Sequence, residues 1–266
     1  MTNVVPILMY HSVKEDPPAT TRKLSVRPEQ LRSHLQFLRE NGFTGLTFTD
    51  LCNRARRDAC DMPERPIVLT FDDGYADVHE EALPLLAEHG FPATVFVTTG
   101  WLRDSGMEAA GRPLDRMMAW TQVRELADAG LEVAAHSHSH PELDQLSDRA
   151  LRAELIHSRS LLEERLGIEV PSLAYPFGYS SRRVRDATAE AGYQQAAAVV
   201  NAVAERDADP FAVPRLTVRR STSPALFRRI ALCEELHRVF RIDRALTNGW
   251  TVVRRSRSLM RRVRRG

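Results

Sequence analysis

The sequence predicts an α/β fold: a distorted (β/α) barrel of about seven parallel strands with helices outside. Short apolar segments alternate with segments of helical periodicity along most of the chain, which is typical of parallel strands covered by helices. Polar clusters directly follow several of the apolar segments, as expected where strand ends carry the chemistry of a barrel. The length of 266 residues, with 43% hydrophobic and 27% charged residues, fits one folded domain of ordinary composition.

Seven segments have the length and apolar content of buried strands. They are residues 5–10, 67–71, 93–98, 131–135, 172–175, 194–200 and 212–218. Helical patterns cover residues 28–41, 77–90, 121–130, 147–167, 181–192 and 223–239. The helix at 147–167 begins at Ser147, a residue type that caps helix N-termini. Residues 101–119 have no clear period and are predicted to form a long loop at the end of the barrel that carries the polar clusters.

Two adjacent carboxylates, Asp72 and Asp73, follow the strand at residues 67–71. Carboxylates at the end of an apolar strand are costly unless they bind a cation or take part in acid–base chemistry. Neighbouring side chains of an extended segment point to opposite sides, so we expect the two residues to have different partners. The alternative is that one caps the next helix and the other is solvated.

Three of the nine histidines, His136, His138 and His140, follow the strand at residues 131–135. The imidazoles of His136 and His140 can converge on one metal ion if the segment turns. His138 is then expected to face away from the metal. The alternative is a solvated loop that happens to be rich in histidine.

A third cluster, Tyr175-Pro176-Phe177-Gly178, follows the strand at residues 172–175. Proline and glycine on either side of an aromatic residue fix a tight turn whose backbone N–H can face a ligand. Alone, this pattern is also typical of an ordinary exit from a strand.

In this order, the three clusters resemble the motifs of the polysaccharide deacetylase family, the NodB-like proteins of carbohydrate esterase family 4. The resemblance covers residues 4–220, and Leu8-Met9-Tyr10-His11 looks like the N-terminal motif of the poly-N-acetylglucosamine deacetylase branch. It implies a NodB-homology barrel and a metal-dependent hydrolase that removes N-acetyl groups from N-acetylhexosamine units of a polysaccharide or its precursor. Alternatives are a similar site acting on O-acetyl esters or cyclic amides, and a non-catalytic relative that binds glycans.

The resemblance also implies a role for each matched residue. Asp73, His136 and His140 would hold a divalent metal ion. Asp72 would be the catalytic base, and the backbone N–H of Phe177 would help to hold the oxyanion. Two imidazoles and one carboxylate suit zinc and leave a position open for water and substrate. Cobalt, nickel and manganese are alternatives.

Two positions depart from the family pattern. Ala174 stands where the family has an arginine that braces the base, and Arg215 at the end of a later strand could take its place. The family's late Leu-x-His motif, which supplies the general acid, is absent. His11, at the end of the first strand, is the expected replacement, and the alternative is a loop histidine without a role.

Three aromatic residues near these clusters are candidate substrate contacts. They are Tyr175, Trp101 and Trp120. The two tryptophans flank the long loop, where an aromatic face could stack on a sugar ring. Trp120 could equally be a core residue at the start of a helix.

We expect a catalytic domain over residues 1–222, followed by a helix and an arginine-rich tail over residues 223–266. Seven arginines and no acidic residue lie between Arg254 and the C-terminus. Removing their charges from the total of +2 leaves the first 253 residues at −5. The basic, partly apolar segment 250–266 predicts peripheral contact with anionic membranes, and a solubilising disordered tail is the alternative. The negative body argues against a nucleic-acid partner.

The three cysteines match no metal-ligand spacing and require no disulfide framework. The N-terminal residues lack the pattern of a signal peptide, and no apolar run approaches the 18 residues of a membrane-spanning helix. These observations predict a cytoplasmic location, with at most peripheral attachment to a membrane.

Overall fold

The structure, a computed structural model, describes residues 4–57, 62–203, 209–241 and 243. Within these residues, eight strands form one sheet in the order β10-β1-β5-β6-β7-β8-β9, with β4 alongside β5. Every pairing in this sheet is parallel. The strands are β1 (Ile7–Tyr10), β2 (Ser12–Val13), β3 (Ser25–Val26), β4 (Thr44–Leu46), β5 (Pro66–Phe71), β6 (Thr94–Val97), β7 (Glu132–Ala135), β8 (Ser172–Ala174), β9 (Gln195–Ala197) and β10 (Leu216–Thr217).

Helices connect the strands. They are α1 (Pro28–Glu40), α2 (Phe48–Arg56), α3 (Leu83–His89), α4 (Trp120–Asp128), α5 (Asp148–Leu166), α6 (Arg182–Glu190), α7 (Pro224–Ala231) and α8 (Leu236–Val239). The predicted N-cap of α5 is confirmed, because the hydroxyl of Ser147 accepts from the backbone N–H of Ala150 at 3.3 Å. No helix among the described residues is both long and apolar enough to cross a membrane.

The sheet curls until its two edges meet. Ala197 of β9 forms a parallel bridge with Val213, and the same segment continues into β10, which pairs with β1. The backbone N–H of Asn201 also donates to the carbonyl of Arg215 at 3.1 Å. The predicted distorted (β/α) barrel of parallel strands is therefore confirmed.

Alternate residues of the strands face two separate hydrophobic clusters. Leu69 belongs to the larger cluster beneath the outer helices, whereas its neighbour Val68 belongs to the smaller cluster inside the barrel. Three interior positions carry the small side chain of alanine. They are Ala134, Ala174 and Ala197. These small side chains leave room inside the barrel for one large side chain from another segment of the chain.

Helix α2 closes the barrel at the end where the strands begin. Phe48 packs edge-on against Phe96 of β6, with ring centroids 5.7 Å apart. The hydroxyl of Thr49 donates to Glu132 at 2.6 Å, and Glu132 is the first residue of β7. With this end closed, the opposite end, where the strands finish, is the open one.

The helix predicted over residues 77–90 is interrupted. Residues Val78–Ala82 form a π-type turn in which Leu83 N–H donates to the carbonyl of Val78, and α3 begins only at Leu83. Pro84 has no N–H to continue the regular α-helical bonding, so the preceding turn widens.

The prediction of a single helix over residues 223–239 is also wrong. It divides into α7 and α8, because Cys233 and Glu235 adopt positive φ angles of 58° and 47°. Other short elements were not predicted: α2, β4, and the parallel pair β2 and β3. These strands have only two or three residues, too few for a periodic pattern.

The predicted boundary at residue 222 separates α7 from the barrel. Phe227, Ile230 and Ala231 of α7 are nevertheless buried in the larger cluster together with Leu8 of β1. We therefore propose that the barrel domain includes α7. The predicted membrane-contacting segment 250–266 lies outside the residues that the structure describes.

Candidate metal centre

The predicted site residues come together at the open end of the barrel. His11 follows β1, Asp72 and Asp73 follow β5, and His136 follows β7. Tyr10 and Phe71 are register partners, and the N–H of Asp72 donates to the carbonyl of Tyr10 at 3.0 Å. The ends of β1, β5 and β7 thus place residues that are far apart in the sequence around one point.

Asp73, His136 and His140 form a group with the spacing of metal ligands. Asp73 Oδ1 lies 3.3 Å from His136 Nε2 and 3.3 Å from His140 Nε2. Two ligand atoms held about 2.1 Å from a tetrahedral zinc ion would lie roughly 3.4 Å apart. Asp73 Oδ1 is buried without a hydrogen-bond partner among the described residues. A divalent cation between these atoms would compensate that oxygen, so the group fits the metal that the sequence predicts.

The ring of His136 is oriented for this role. Its Nδ1 lies 2.8 Å from the carbonyl oxygen of Ala174. A carbonyl only accepts, so Nδ1 carries the hydrogen and Nε2 keeps its lone pair toward Asp73.

Three residues of the centre have left-handed backbone conformations. The φ angles are 76° at Asp73, 61° at Ser137 and 59° at His140. Such conformations cost about 1–3 kcal/mol each at residues other than glycine. Asp72 and Asp73 do have different partners, as predicted, but the reason is this turn at Asp73 rather than an extended backbone.

Glu154 of α5 holds the histidine loop in its turned conformation. Its carboxylate accepts from the backbone N–H of His138 at 2.9 Å and of Ser139 at 2.8 Å, and also from the Ser139 hydroxyl. The role of Glu154 was not predicted from the sequence. Its signal is a carboxylate three positions after the buried Leu151, on the core-facing side of the helix.

Asp72 forms a buried ion pair with Arg215. Arg215 Nη1 lies 2.6 Å from Asp72 Oδ1, and Nη2 lies 2.7 Å from Oδ2. Arg215 is completely buried, and its Nη1 also donates to the Thr70 hydroxyl at 3.0 Å. Burial raises the pKa of Asp72, but the Arg215 guanidinium outweighs burial and holds the pKa below its ordinary value.

The barrel interior accommodates Arg215. Its guanidinium carbon lies 5.2 Å from the centre of the Phe96 ring, and Ala174 and Ala197 leave space in the same interior. Ala174 stands where the resembled family has an arginine. In this barrel the arginine comes instead from the segment before β10, and the small side chain of Ala174 leaves room for it.

His11 lies beside the two carboxylates. Burial lowers the pKa of His11, while the charges of Asp73 and Asp72 act in the opposite direction. Asp77, which sequence analysis did not single out, fixes the segment after His11. It accepts from the Ser12 hydroxyl at 2.7 Å and from the Val13 N–H at 2.9 Å.

The aromatic candidates divide into different environments. Trp101 is buried, and its ring lies 4.7 Å from that of His140, so it packs behind this imidazole. Trp120 is the first residue of α4 and lies between two outer helices, α4 and α5. The guanidinium carbon of Arg165 in α5 lies 5.7 Å from the centre of a Trp120 ring. The prediction that the Tyr175 side chain contacts a substrate is wrong, because it is fully buried and its hydroxyl donates to the carbonyl of Phe211 at 2.9 Å.

Phe177 is the exposed aromatic side chain at the centre. It is 53% exposed, and its ring meets that of His140 edge-on at 4.7 Å. Tyr179, which was not predicted, stacks beside it at 5.9 Å. Phe177 has a φ angle of 59°, and Gly178 (φ 75°) packs so closely that a Cβ there would lie 2.4 Å from Val199. The predicted tight turn is therefore present.

A family model described as polysaccharide deacetylase matches residues 59–196. The Bacillus subtilis (strain 168) protein YxkH, assigned by name to the polysaccharide deacetylases, is 27% identical over 225 residues, covering 84% of this chain and 74% of YxkH. The poly-beta-1,6-N-acetyl-D-glucosamine N-deacetylase of Escherichia coli (strain K12) is 34% identical over 140 residues, covering 50% of this chain and 20% of that protein.

Among solved structures, the Streptococcus pyogenes deacetylase PplD in complex with acetate has a similar fold. The TM-score is 0.78 at 22% sequence identity, covering 87% of this chain and 99% of that chain. This similarity supports the barrel architecture.

Proposed function

The chain belongs to the polysaccharide deacetylase family, and we propose that it is a metal-dependent hydrolase that removes N-acetyl groups from N-acetylhexosamine units of a polysaccharide or its precursor. One observation carries the proposal. Asp73, His136 and His140 are arranged as metal ligands, and beside them lies a carboxylate, Asp72, that an arginine keeps ionised. The similarity to an enzyme named for poly-beta-1,6-N-acetyl-D-glucosamine supports an amide of an amino sugar as substrate.

Asp73, His136 and His140 would hold the metal, with zinc the best match to the donors and cobalt, nickel or manganese as alternatives. When bound, such an ion polarises a carbonyl and makes bound water more acidic. The buried surroundings of His136 and Asp73 exclude bulk water from the ligand atoms. Trp101 and Glu154 keep the His140 side of the loop in place.

Asp72 would accept the proton of the attacking water. Arg215 occupies both of its oxygens on one side, which fixes the plane of the carboxylate and keeps it ionised at neutral pH. Each oxygen has a further lone pair with which to accept a proton. Arg215 therefore acts as a positioning residue.

His11 would donate a proton to the departing amine. An amine leaves poorly without a proton, and His11 is the imidazole next to Asp72 on the neighbouring strand end. Because burial lowers its pKa, the imidazolium of His11 gives up its proton readily. The backbone N–H of Phe177 would help to hold the developing oxyanion, and the Phe177 and Tyr179 rings offer a surface for a sugar.

The test is acetate release by metal-loaded protein. We expect release from β-1,6-linked N-acetylglucosamine oligomers, loss of release after chelation, and recovery when zinc is added back. Faster turnover of an acetyl ester or a cyclic amide would instead favour those substrates. Chelator-sensitive turnover of none of the three would reject the enzyme proposal in favour of a glycan-binding protein.

A further inference from the structure

Glu108, His138 and His157 form a second group outside the centre described above. One ligand atom from each lies within 4.8 Å of the others. His157 Nε2 is 2.6 Å from Glu108 Oε2, and the rings of His138 and His157 meet edge-on with centroids 4.4 Å apart. The three residues come from three segments: the turn Gly106–Glu108, the histidine loop, and α5.

The ring of His138 is oriented toward Glu108 and His157 rather than toward Asp73. Its Nδ1 lies 2.9 Å from the hydroxyl of Thr99. When Nδ1–H donates to this hydroxyl, Nε2 keeps a free lone pair, the arrangement that orients histidine ligands in metal sites. The backbone N–H of His138 is bonded to Glu154, whose carboxylate adds negative charge nearby. His138 thus faces away from Asp73, as the sequence predicted, and toward another set of donors.

We propose that Glu108, His138 and His157 form a second binding site for a zinc-type transition-metal ion. Two imidazoles with one carboxylate match zinc, whereas calcium and magnesium prefer oxygen ligands. The side chains of His157 and Glu108 are 43% and 40% exposed, so this ion would exchange with solvent more readily than one at the buried Asp73.

A metal ion bound by Glu108, His138 and His157 would also restrain the loop that carries His136 and His140. His138 lies between His136 and His140, so an ion there would tie the loop that carries both histidines to α5 and to the turn at Glu108. The loop already receives a hydrogen bond from this side, because Gly100 N–H donates to the His138 carbonyl at 2.8 Å. A second ion would hold the histidine loop still. The inference rests on this group and does not require that the chain be a deacetylase.

Zinc stoichiometry after equilibrium dialysis tests the proposal in the full chain. We expect two equivalents in the wild type, one in His157→Gln, one in His140→Gln, and none in the double variant. Glu108→Gln should also bind one. His79→Gln is the matched control, because His79 Nε2 also pairs with a carboxylate, Glu125, at 2.6 Å. Among the described residues that pair is not part of a three-ligand group, so its variant should bind two.

Thermal unfolding gives a second readout. Relative to protein with one equivalent bound, zinc at a hundredfold excess over its second dissociation constant should raise Tm by roughly a further 5 °C in the wild type and in His79→Gln, with no such further rise in His157→Gln. A zinc stoichiometry in His157→Gln equal to that of the wild type would overturn the proposal. So would loss of both equivalents in a folded His157→Gln, because the two sites are proposed to bind separately.

Discussion

Asp72 and Arg215 show how strongly one residue can depend on another that is distant in sequence. Both side chains are buried, and the ion pair uses both oxygens of the carboxylate. Removing one partner of such a pair leaves an uncompensated charge in the interior. The geometry of the proposed base is therefore set by a residue 143 positions away.

Arg215→Lys should lower kcat on the order of 10- to 100-fold with little change in KM, because an ammonium keeps the charge but loses the bidentate geometry. Arg215→Met should also destabilise the fold by about 3–5 kcal/mol, since Asp72 loses its counter-charge. Acetate-release kinetics and urea unfolding measure the two effects.

The matched control is Arg185→Lys, which alters a partly exposed arginine–aspartate pair with Asp209 at the surface and should change kcat and stability far less. If Arg215→Lys changed KM alone, its role would be substrate binding rather than positioning of Asp72.

The principal site residues could be predicted because they are concentrated in short motifs after strands. Asp72, Asp73, His136 and His140 are brought together as the sequence suggested. Glu154, Asp77 and Tyr179 could not, because their contacts depend on which helix or turn packs beside the motif. The misassignment of Tyr175 has a similar origin: Tyr175 is buried before the turn, whereas the left-handed backbone at Phe177 within the turn places the Phe177 side chain toward solvent.

At the scale of elements, the contact between α1 and α7 contains a buried histidine. His34 of α1 stacks on Phe227 of α7 with ring centroids 3.7 Å apart. The Tyr10 hydroxyl lies 3.1 Å from His34 Nδ1 and donates to it in the neutral tautomer that carries its hydrogen on Nε2. Burial lowers the pKa of His34 to about 3.

This contact should make the fold sensitive to acid. Because the pKa of His34 is lower in the folded state, the unfolded chain takes up a proton at a higher pH than the folded chain does. The contribution of neutral His34 to the free energy of unfolding is therefore complete only above about pH 6.5. As pH falls from there toward 3, His34 should subtract about 1.4 kcal/mol from the unfolding free energy per pH unit. Urea unfolding at pH 7 and pH 5, comparing the wild type with His34→Phe, measures this contribution.

Carboxylates that titrate in the same range contribute equally to both proteins, so the difference between the two slopes isolates His34. Equal slopes would show that the imidazole is not titrated in the unfolding reaction.

Long periodic helices were easier to predict than short elements. The leucines of α5 gave its register, and its cap is where Ser147 predicted. The bonding change before Pro84 and the break at Cys233 arise from local backbone geometry. The strands β2, β3 and β4 are defined by their partners in the sheet, and that information is absent from a single short segment.

At the scale of the whole molecule, the barrel has one closed and one open end. Helix α2 fills the end where strands begin, and the segment at residues 213–217 brings the sheet edges together while placing Arg215 inside. The same closure positions β10 beside β1, whose last residue precedes His11. Closure of the fold and assembly of the site thus depend on one segment.

A chain ending at residue 222 should be much less stable than one ending at residue 243. The shorter chain loses α7, and truncating a buried phenylalanine such as Phe227 alone costs about 3–5 kcal/mol. We expect a large loss of Tm, or failure to fold, for the shorter chain and a Tm near that of the full chain for the longer one. Equal Tm values for the two truncated chains would place the domain boundary at residue 222 after all.

The most direct test of the whole account is to measure metal content and turnover together in Asp72→Asn. Because Asp72 is proposed as base and not as ligand, the metal at Asp73, His136 and His140 should stay bound while acetate release falls by about 10²–10⁴-fold. Turnover close to the wild-type rate, or loss of that metal, would contradict the division of roles between the two neighbouring aspartates.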